Sequence, residues 1–195
     1  ELVDGSIDTS HLSSSLTLTT PNLGTVTAGN LSNSAIVYPA GHIIQTTYNT
    51  YNSADSANTT SSNMERVSDG SSNYHWTGQI TNVGASNHVL IIMGFTAHCN
   101  RETTSTGMGF GLYRESSLIV DTEEYSNYYW VDNSSSKNWY LQMNFTWIDE
   151  SPATGTNNYY LGYSVSGAGT NASYAKIHSA GSYEPFRCIL QEIQR

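Results

Sequence analysis

The chain carries 16 Asp and Glu in 195 residues, and most of them stand apart. Only two groups are close in sequence: Asp121 with Glu123 and Glu124, and Asp149 with Glu150. Glycoside cleavage needs two carboxyl groups opposed across a cleft, one to protonate the leaving oxygen and one to attack or to activate water. Neighbours in sequence do not by themselves supply that opposition, so both groups read as solvated turns. The six histidines are scattered, and neither a His-x-His nor a Cys-x-x-Cys pair occurs. His98 and Cys99 are adjacent on a predicted strand and point to opposite faces, which argues against a shared metal ion. An Asp-x-Asp-x-Asp-Gly calcium loop, a nucleophile elbow and a phosphate-cradling glycine loop are also missing. The expectation is binding without turnover: no catalytic residue, no metal and no cofactor.

The residues suited to recognition are aromatic and amide. Tyr125, Tyr128, Tyr129 and Trp130 stand together, flanked by Asn127, Asp132 and Asn133. Rings stack on pyranose faces while short polar groups fix hydroxyls, so Tyr125, Asn127, Tyr128, Trp130 and Asp132 are the expected receptor contacts. Tyr and Asn also serve adaptable protein recognition at little entropic cost. A competing reading puts Tyr128 and Trp130 in the core or at a trimer interface, because alternating aromatics on a strand are commonly structural.

The elements that must carry these side chains are strands, since helical periodicity is almost absent. Over Asn138–Ile148, Trp139, Leu141, Met143, Phe145 and Trp147 share one face and polar residues fill most of the other, a period-two pattern built for a core. Val89–Cys99 alternates similarly, with Leu90 and Ile92 making its first half apolar on both sides, as in a strand covered on both faces. Further strands are predicted at His42–Tyr51, Asn73–Thr81, Met108–Glu115, Ser117–Asp121, Asn127–Val131, Asn158–Ser166, Tyr174–His178 and Phe186–Ile193. Turn-forming stretches separate them. This pattern predicts an all-β head over residues 39–195, an antiparallel β-sandwich or jelly-roll-like fold. Cys99 and Cys188 are too few for a disulfide framework and read as buried free thiols.

The first 37 residues are different. They hold none of the chain's 22 aromatic residues, and 13 of them are Ser or Thr. A segment so poor in bulky apolar side chains cannot offset the entropy of ordering itself. It still carries evenly spaced Ile, Leu and Val without heptads, which argues against both a linker and a coiled coil. Residues 1–38 are therefore expected to form an extended stalk that shares its core with other copies, making the protein a homotrimer. The formal charge is −9, and no Lys or Arg precedes Arg66. Nucleic acid is thereby disfavoured as a partner, and no apolar run is long enough to predict membrane insertion. Without an initial Met or a leader pattern, the chain is expected to be a fragment or a processed product.

In order and spacing, residues 4–12, 19–31, 39–45, 112–115, 151–152 with 159–160, and 188–193 resemble segments of the fibre proteins of marine and freshwater tailed phages, the cyanophage-like fibres among them. Asp4-Gly5-Ser6-Ile7-Asp8-Thr9-Ser10-His11-Leu12 resembles a stalk repeat, and Thr19-Thr20-Pro21-Asn22-Leu23-Gly24-Thr25 through Leu31 resembles the segment before the fibre head. Pro39-Ala40-Gly41-His42-Ile43-Ile44-Gln45 is similar to the start of that head. Leu112-Tyr113-Arg114-Glu115, Ser151-Pro152 with Tyr159-Tyr160, and Cys188–Ile193 are similar to later strands of it. Gln191 replaces the usual closing Met, and Glu150, one position before Ser151, replaces the Asp of the loop pattern. The resemblance implies a homotrimeric tail fibre with a β-structured tip. It would be a virion protein assembled in the bacterial cytoplasm, joined to other virion proteins through its N-terminal side. Its tip would attach to a host cell-surface glycan or protein. The alternative is a structural part, a capsid-decorating fibre or tail adaptor with no receptor. A secreted lectin-like module is a third reading, which the aromatic-free stalk disfavours.

Overall fold

Alternation of apolar and polar side chains builds the longest strands of the structure, and all others are arranged around them. The computed structural model describes residues 39–52, 56–68, 73–101, 106–121, 129–131, 137–166, 174–178 and 185–195. The stalk expected over residues 1–38 lies outside the described residues. The strands are β1 (Ile43–Tyr51), β2 (Ser56–Thr59), β3 (Glu65–Arg66), β4 (Thr77–Val83), β5 (His88–Arg101) and β6 (Thr106–Arg114). They continue with β7 (Ser117–Asp121), β8 (Tyr129–Val131), β9 (Lys137–Asp149), β10 (Gly155–Ser166), β11 (Tyr174–His178) and β12 (Phe186–Ile193).

These form two six-stranded sheets in which every ladder among the described residues is antiparallel. In the first sheet β5 is central. β9 pairs with it from Val89 to Arg101 on one side. On its other side β12 takes residues 88–94 and β11 takes residues 96–100, with β1 and β2 beyond them. In the second sheet β10 is flanked by β6 on one side and by β4 and β3 on the other, and β6 also pairs with β7 and β8. The all-β, two-sheet architecture expected from the sequence is present.

One apolar core joins the sheets. Val89, Ile91, Met93, Phe95 and Ala97 of β5 meet Met108, Phe110 and Leu112 of β6 and Leu161 and Val165 of β10, all buried. The Phe95 and Phe110 rings cross between the sheets edge to face, centroids 5.2 Å apart, a geometry that aromatic pairs prefer. Along β9, Phe145 is buried, Leu141, Met143 and Trp147 are half-buried, and Tyr140, Gln142, Asn144, Thr146 and Ile148 are exposed. The predicted face holds for Leu141, Met143, Phe145 and Trp147, and the side chain of Trp139 lies outside the described ones. Its cover is incomplete because β9 pairs with β5 alone among the described strands. Leu90 and Ile92 are likewise half-buried on the outer face of β5, rather than enclosed on both sides.

Two features depart from the sequence expectation, the strands β2 and β3 and the start of β10, while Cys188 agrees with it. β2 and β3 have no alternation of their own and form because β11 and β10 offer them backbone partners. β10 starts at Gly155 instead of Asn158: buried Asn157 holds the turn by accepting from the Ala153 N–H at 3.0 Å and donating to the Ala153 carbonyl at 2.7 Å. Cys188 is a buried free thiol opposite Met93. Cys99 lies six positions further along β5, about 20 Å away at strand rise, too far for a disulfide.

Burial pushes the Cys188 thiol up to about 12. It also raises the phenols of Tyr159 and Tyr163 well above their ordinary value, with Asp149 adding to the rise at Tyr159 and Glu65 at Tyr163. Below the unfolded values of these groups both states are protonated and nothing is lost. As pH climbs past 9 for the thiol and 10 for the phenols, the unfolded chain releases protons that the fold keeps, and stability falls. Denaturant midpoints are expected to stay flat up to about pH 9 and to drop steadily above it. Part of the ultraviolet phenolate signal should develop only together with unfolding. A spectrophotometric titration in which every tyrosine ionises at its ordinary value, with the fold intact, would contradict this.

Candidate functional site

Because Tyr159 and Leu161 point into the core, Asn158 and Tyr160 face outward from β10. They meet Gln79 and Thr77 of β4 on one side and Tyr113 of β6, opposite Tyr160, on the other. Arg66 of β3 stands opposite Gly162 and extends over this face. Its guanidinium lies 4.2 Å above the Tyr74 ring and 5.1 Å above the Tyr160 ring, both within cation–π range. Tyr74 and Tyr160 meet edge to face at 5.7 Å. Arg66 Nη1 donates to the Glu115 carbonyl at 3.2 Å. Beside this stack runs a polar row. Glu115 Oε1 accepts from the backbone and side-chain N–H groups of Asn158, each at 2.8 Å, and Asn158 Oδ1 accepts from Gln79 Nε2 at 2.8 Å.

Glycines make the floor of this surface. Gly111 and Gly162 are paired across β6 and β10, and Met64 rests on them: a Cβ at Gly111 would lie 2.9 Å from its sulfur, one at Gly162 3.2 Å. Tyr113 is anchored there by donating its hydroxyl proton to the Met64 carbonyl at 2.7 Å. Partial burial raises the phenols of Tyr113 and Tyr160 and Arg66 pulls both back, while Glu115 adds to the rise at Tyr160. Both therefore stay neutral at physiological pH. The surface presents phenol rings, two amides, one exposed carboxylate and one guanidinium held by ring faces. Ring faces and amides side by side can contact a neutral polar ligand with planar apolar patches.

The two carboxylates with the most contacts do something else. Asp149 is buried, not the solvated turn residue expected from the sequence. Its Oδ2 takes a 2.7 Å ion pair from Arg114 and a 2.9 Å bond from the Tyr159 hydroxyl, and its Oδ1 accepts from the Ser151 N–H at 3.1 Å. Both oxygens are thus committed to joining β6, β9 and β10. The groove beside it, about 350 Å³, is lined by Ile119, Trp147, Ile148, Asp149, Glu150 and Ser151. Glu192, which the sequence reading placed only within the closing strand, is buried as well. It accepts from Gly84 N–H at 2.7 Å, Asn87 Nδ2 at 2.6 Å and Gln45 Nε2 at 2.6 Å. These contacts tie the β4–β5 turn and β1 to β12. Among the described residues no group of three His, Cys, Asp or Glu is placed to hold a metal ion.

Of the predicted contacts, Tyr125, Asn127, Tyr128 and Asp132 lie outside the described residues. Trp130 is placed by its backbone: it sits in β8 opposite Gly107 of β6, in the same sheet as Tyr113 and Tyr160 and some six residues further along. Sequence reasoning missed Arg66, Tyr74 and Tyr160 because they come from three separate segments. No spacing rule connects them, and only sheet pairing brings them together.

No family model and no curated protein matches the chain. Among solved structures, it is similar to the crystal structure of dimeric latent PorU from Porphyromonas gingivalis, at 11% identity and a TM-score of 0.37 over 85% of this chain. The chain spans 14% of the length of that protein, and a likeness at that level carries no argument about function.

Proposed function

We propose that the protein is a virion fibre, homotrimeric through a stalk over residues 1–38, whose β-sandwich head attaches to a host cell-surface glycan without cleaving it. The resemblance of its segments to tailed-phage fibres supports the virion role. The observation that carries the binding role is the outer face of the second sheet. There Tyr74, Tyr160 and Tyr113 lie beside the Gln79–Asn158–Glu115 row, the combination of ring faces and short polar groups that sugars require. Such a site is shallow, so one head binds weakly and several heads on one particle raise the strength by avidity. A second reading, a structural fibre without a receptor, is favoured by one feature: Asn158 spends its amide on Glu115 and Gln79 within the sheet.

The test is adsorption to host cells and binding to an array of host glycans. Gln79→Ala and Tyr74→Ala are each expected to weaken both about tenfold, which corresponds to about 1.4 kcal/mol, with unchanged trimer mass and unfolding midpoint. Ala at Tyr125, Tyr128 and Trp130 serves as the comparison set. Loss confined to those three variants would move the receptor site off the face described above. Loss in none of the variants would favour the structural reading, and release of reducing sugar from host polysaccharide would identify an enzyme.

A further inference from the structure

Charge is segregated along β5. The two carboxylates in the strands of the first sheet, Asp149 and Glu192, both pair with Val89 near one end of it, and both are buried. Four of the chain's seven Lys and Arg lie toward the other end. Arg187 stands opposite Gly94, Lys176 opposite His98, and Lys137 opposite Arg101. No acidic residue pairs with β5 from Leu90 to Arg101. Arg101 and Lys137 make a like-charge pair directly across the ladder, which weakens the strands it joins. Local rules of this kind are broken mainly where function requires it. In a chain of net charge −9, cations gathered on one stretch of one sheet make a local field that attracts anions.

The outer face beside these cations carries groups suited to recognition. Met93, Phe145 and Cys188 are buried, so Asn144 and Arg187 turn outward on either side of Gly94, and both are exposed. A Cβ at Gly94 would touch only Asn144 Oδ1, at 3.4 Å. Bare backbone therefore floors the space between Arg187 and Asn144, and a glycine inside a strand marks a place where a ligand approaches closely. Two residues on, Thr96 donates its hydroxyl proton to Gln142 Oε1 at 3.0 Å, which turns the amide N–H groups of exposed Gln142 outward. Two further, the His98 and Tyr140 rings stack at 4.2 Å and 18°, and Tyr140 is still 48% exposed. Lys176 lies beside them, on the outer face because Ile177 points inward. The strip from Arg187 to Lys176 covers four residues of β5, about 14 Å at strand rise.

We infer that this strip binds an acidic polysaccharide. Arg187 and Lys176 meet carboxylate or sulfate groups on separate sugars, Asn144 and Gln142 bond hydroxyls between them, and Tyr140 lies against a sugar ring. The guanidinium fork takes a carboxylate or sulfate by two bonds, and the ammonium acts as a point charge. Nucleic acid fits less well. Duplex carries a charge about every 1.7 Å, and the acidic remainder of the chain repels so dense an anion. Acidic sugars are sparser in charge and offer neutral ring faces. The inference takes only its ligand class from the glycan reading of the head, and its site is on the other sheet from Tyr74 and Gln79.

Calorimetric titration of the purified full-length chain with polygalacturonate, dextran sulfate and uncharged dextran tests this at low and at physiological salt. The wild type is expected to bind both acidic polymers far better than dextran, and less tightly as salt rises. Lys176→Gln and Arg187→Gln should each weaken that binding about threefold, and together about tenfold, with the unfolding midpoint unchanged. Lys137→Gln, which relieves the like-charge pair, should also weaken binding without lowering the midpoint. If the acidic polymers bind no better than dextran, or bind the double variant as tightly as the wild type, the inference is overturned. Tighter binding to an oligonucleotide or to vesicles of anionic lipid overturns the assignment to a polysaccharide. Tyr74→Ala and Gln79→Ala separate this site from the one on the second sheet, since neither should alter binding of the acidic polymers. Host-glycan binding that depends on those two residues, with no acidic-polymer binding, refutes the charged strip alone. Acidic-polymer binding that depends on Lys176 and Arg187, with host-glycan binding indifferent to Tyr74 and Gln79, refutes the second-sheet site alone.

Discussion

Asp149→Ala is expected to lower the unfolding free energy by about 3 kcal/mol or more, because it removes one partner from a buried ion pair. The carboxylate joins three strands: Arg114 comes from β6, Tyr159 from β10, and the Ser151 N–H from the turn after β9. The Tyr159 side chain is fully enclosed, so its hydroxyl would be left without an acceptor in a place water does not reach, a cost of about 1–3 kcal/mol. Arg114 is 25% exposed and recovers part of its hydration, which keeps the loss near the lower end of the range for buried pairs. Tyr159→Phe removes only the donor and should cost about 1–2 kcal/mol. In a double-mutant cycle monitored by urea unfolding, the two changes should be less than additive by about 1 kcal/mol or more. Additive behaviour would mean that the hydroxyl and the carboxylate do not act together.

Trp76→Ala should be at least as damaging, with a loss of about 3–5 kcal/mol. Trp76 is completely buried just before β4. Its ring meets Tyr51 edge to face at 5.4 Å, and its carbonyl accepts from Leu161 N–H at 3.1 Å. The backbone bond survives the substitution, and the cavity does not fill because strands on both sides hold it open. Trp76→Phe should cost far less, since it keeps most of the volume and deletes an indole N–H that has no acceptor among the described residues. Trp147→Ala is the contrast: half-buried beside Ile119 in the groove, it should cost about 1–2 kcal/mol, scaling with the smaller area hidden. Equal losses at positions 76 and 147 in denaturant unfolding would mean that the edge strand β9 is as tightly covered as the core beside β4.

The strands of highest alternation were legible from the sequence because a side-chain period of two is a property of the backbone itself. The faces of β5 and β9 follow from it, as does the prediction of an all-β chain. An aromatic and amide surface was legible as a class, from the abundance of Tyr and Asn beside few charges. Its location was not. Arg66, Tyr74 and Tyr160 become neighbours only when β3 and β4 line up along β10, and β3 is two residues long with no pattern of its own. Asp149 and Glu192 show the same limit. A carboxylate near a turn reads as solvated until distant strands deliver Arg114, Tyr159, Gln45 and Asn87 to its oxygens. The period of a strand depends on residues adjacent in the chain. The partner of a buried charge depends on which strands pair, and that is decided by the whole set of contacts at once.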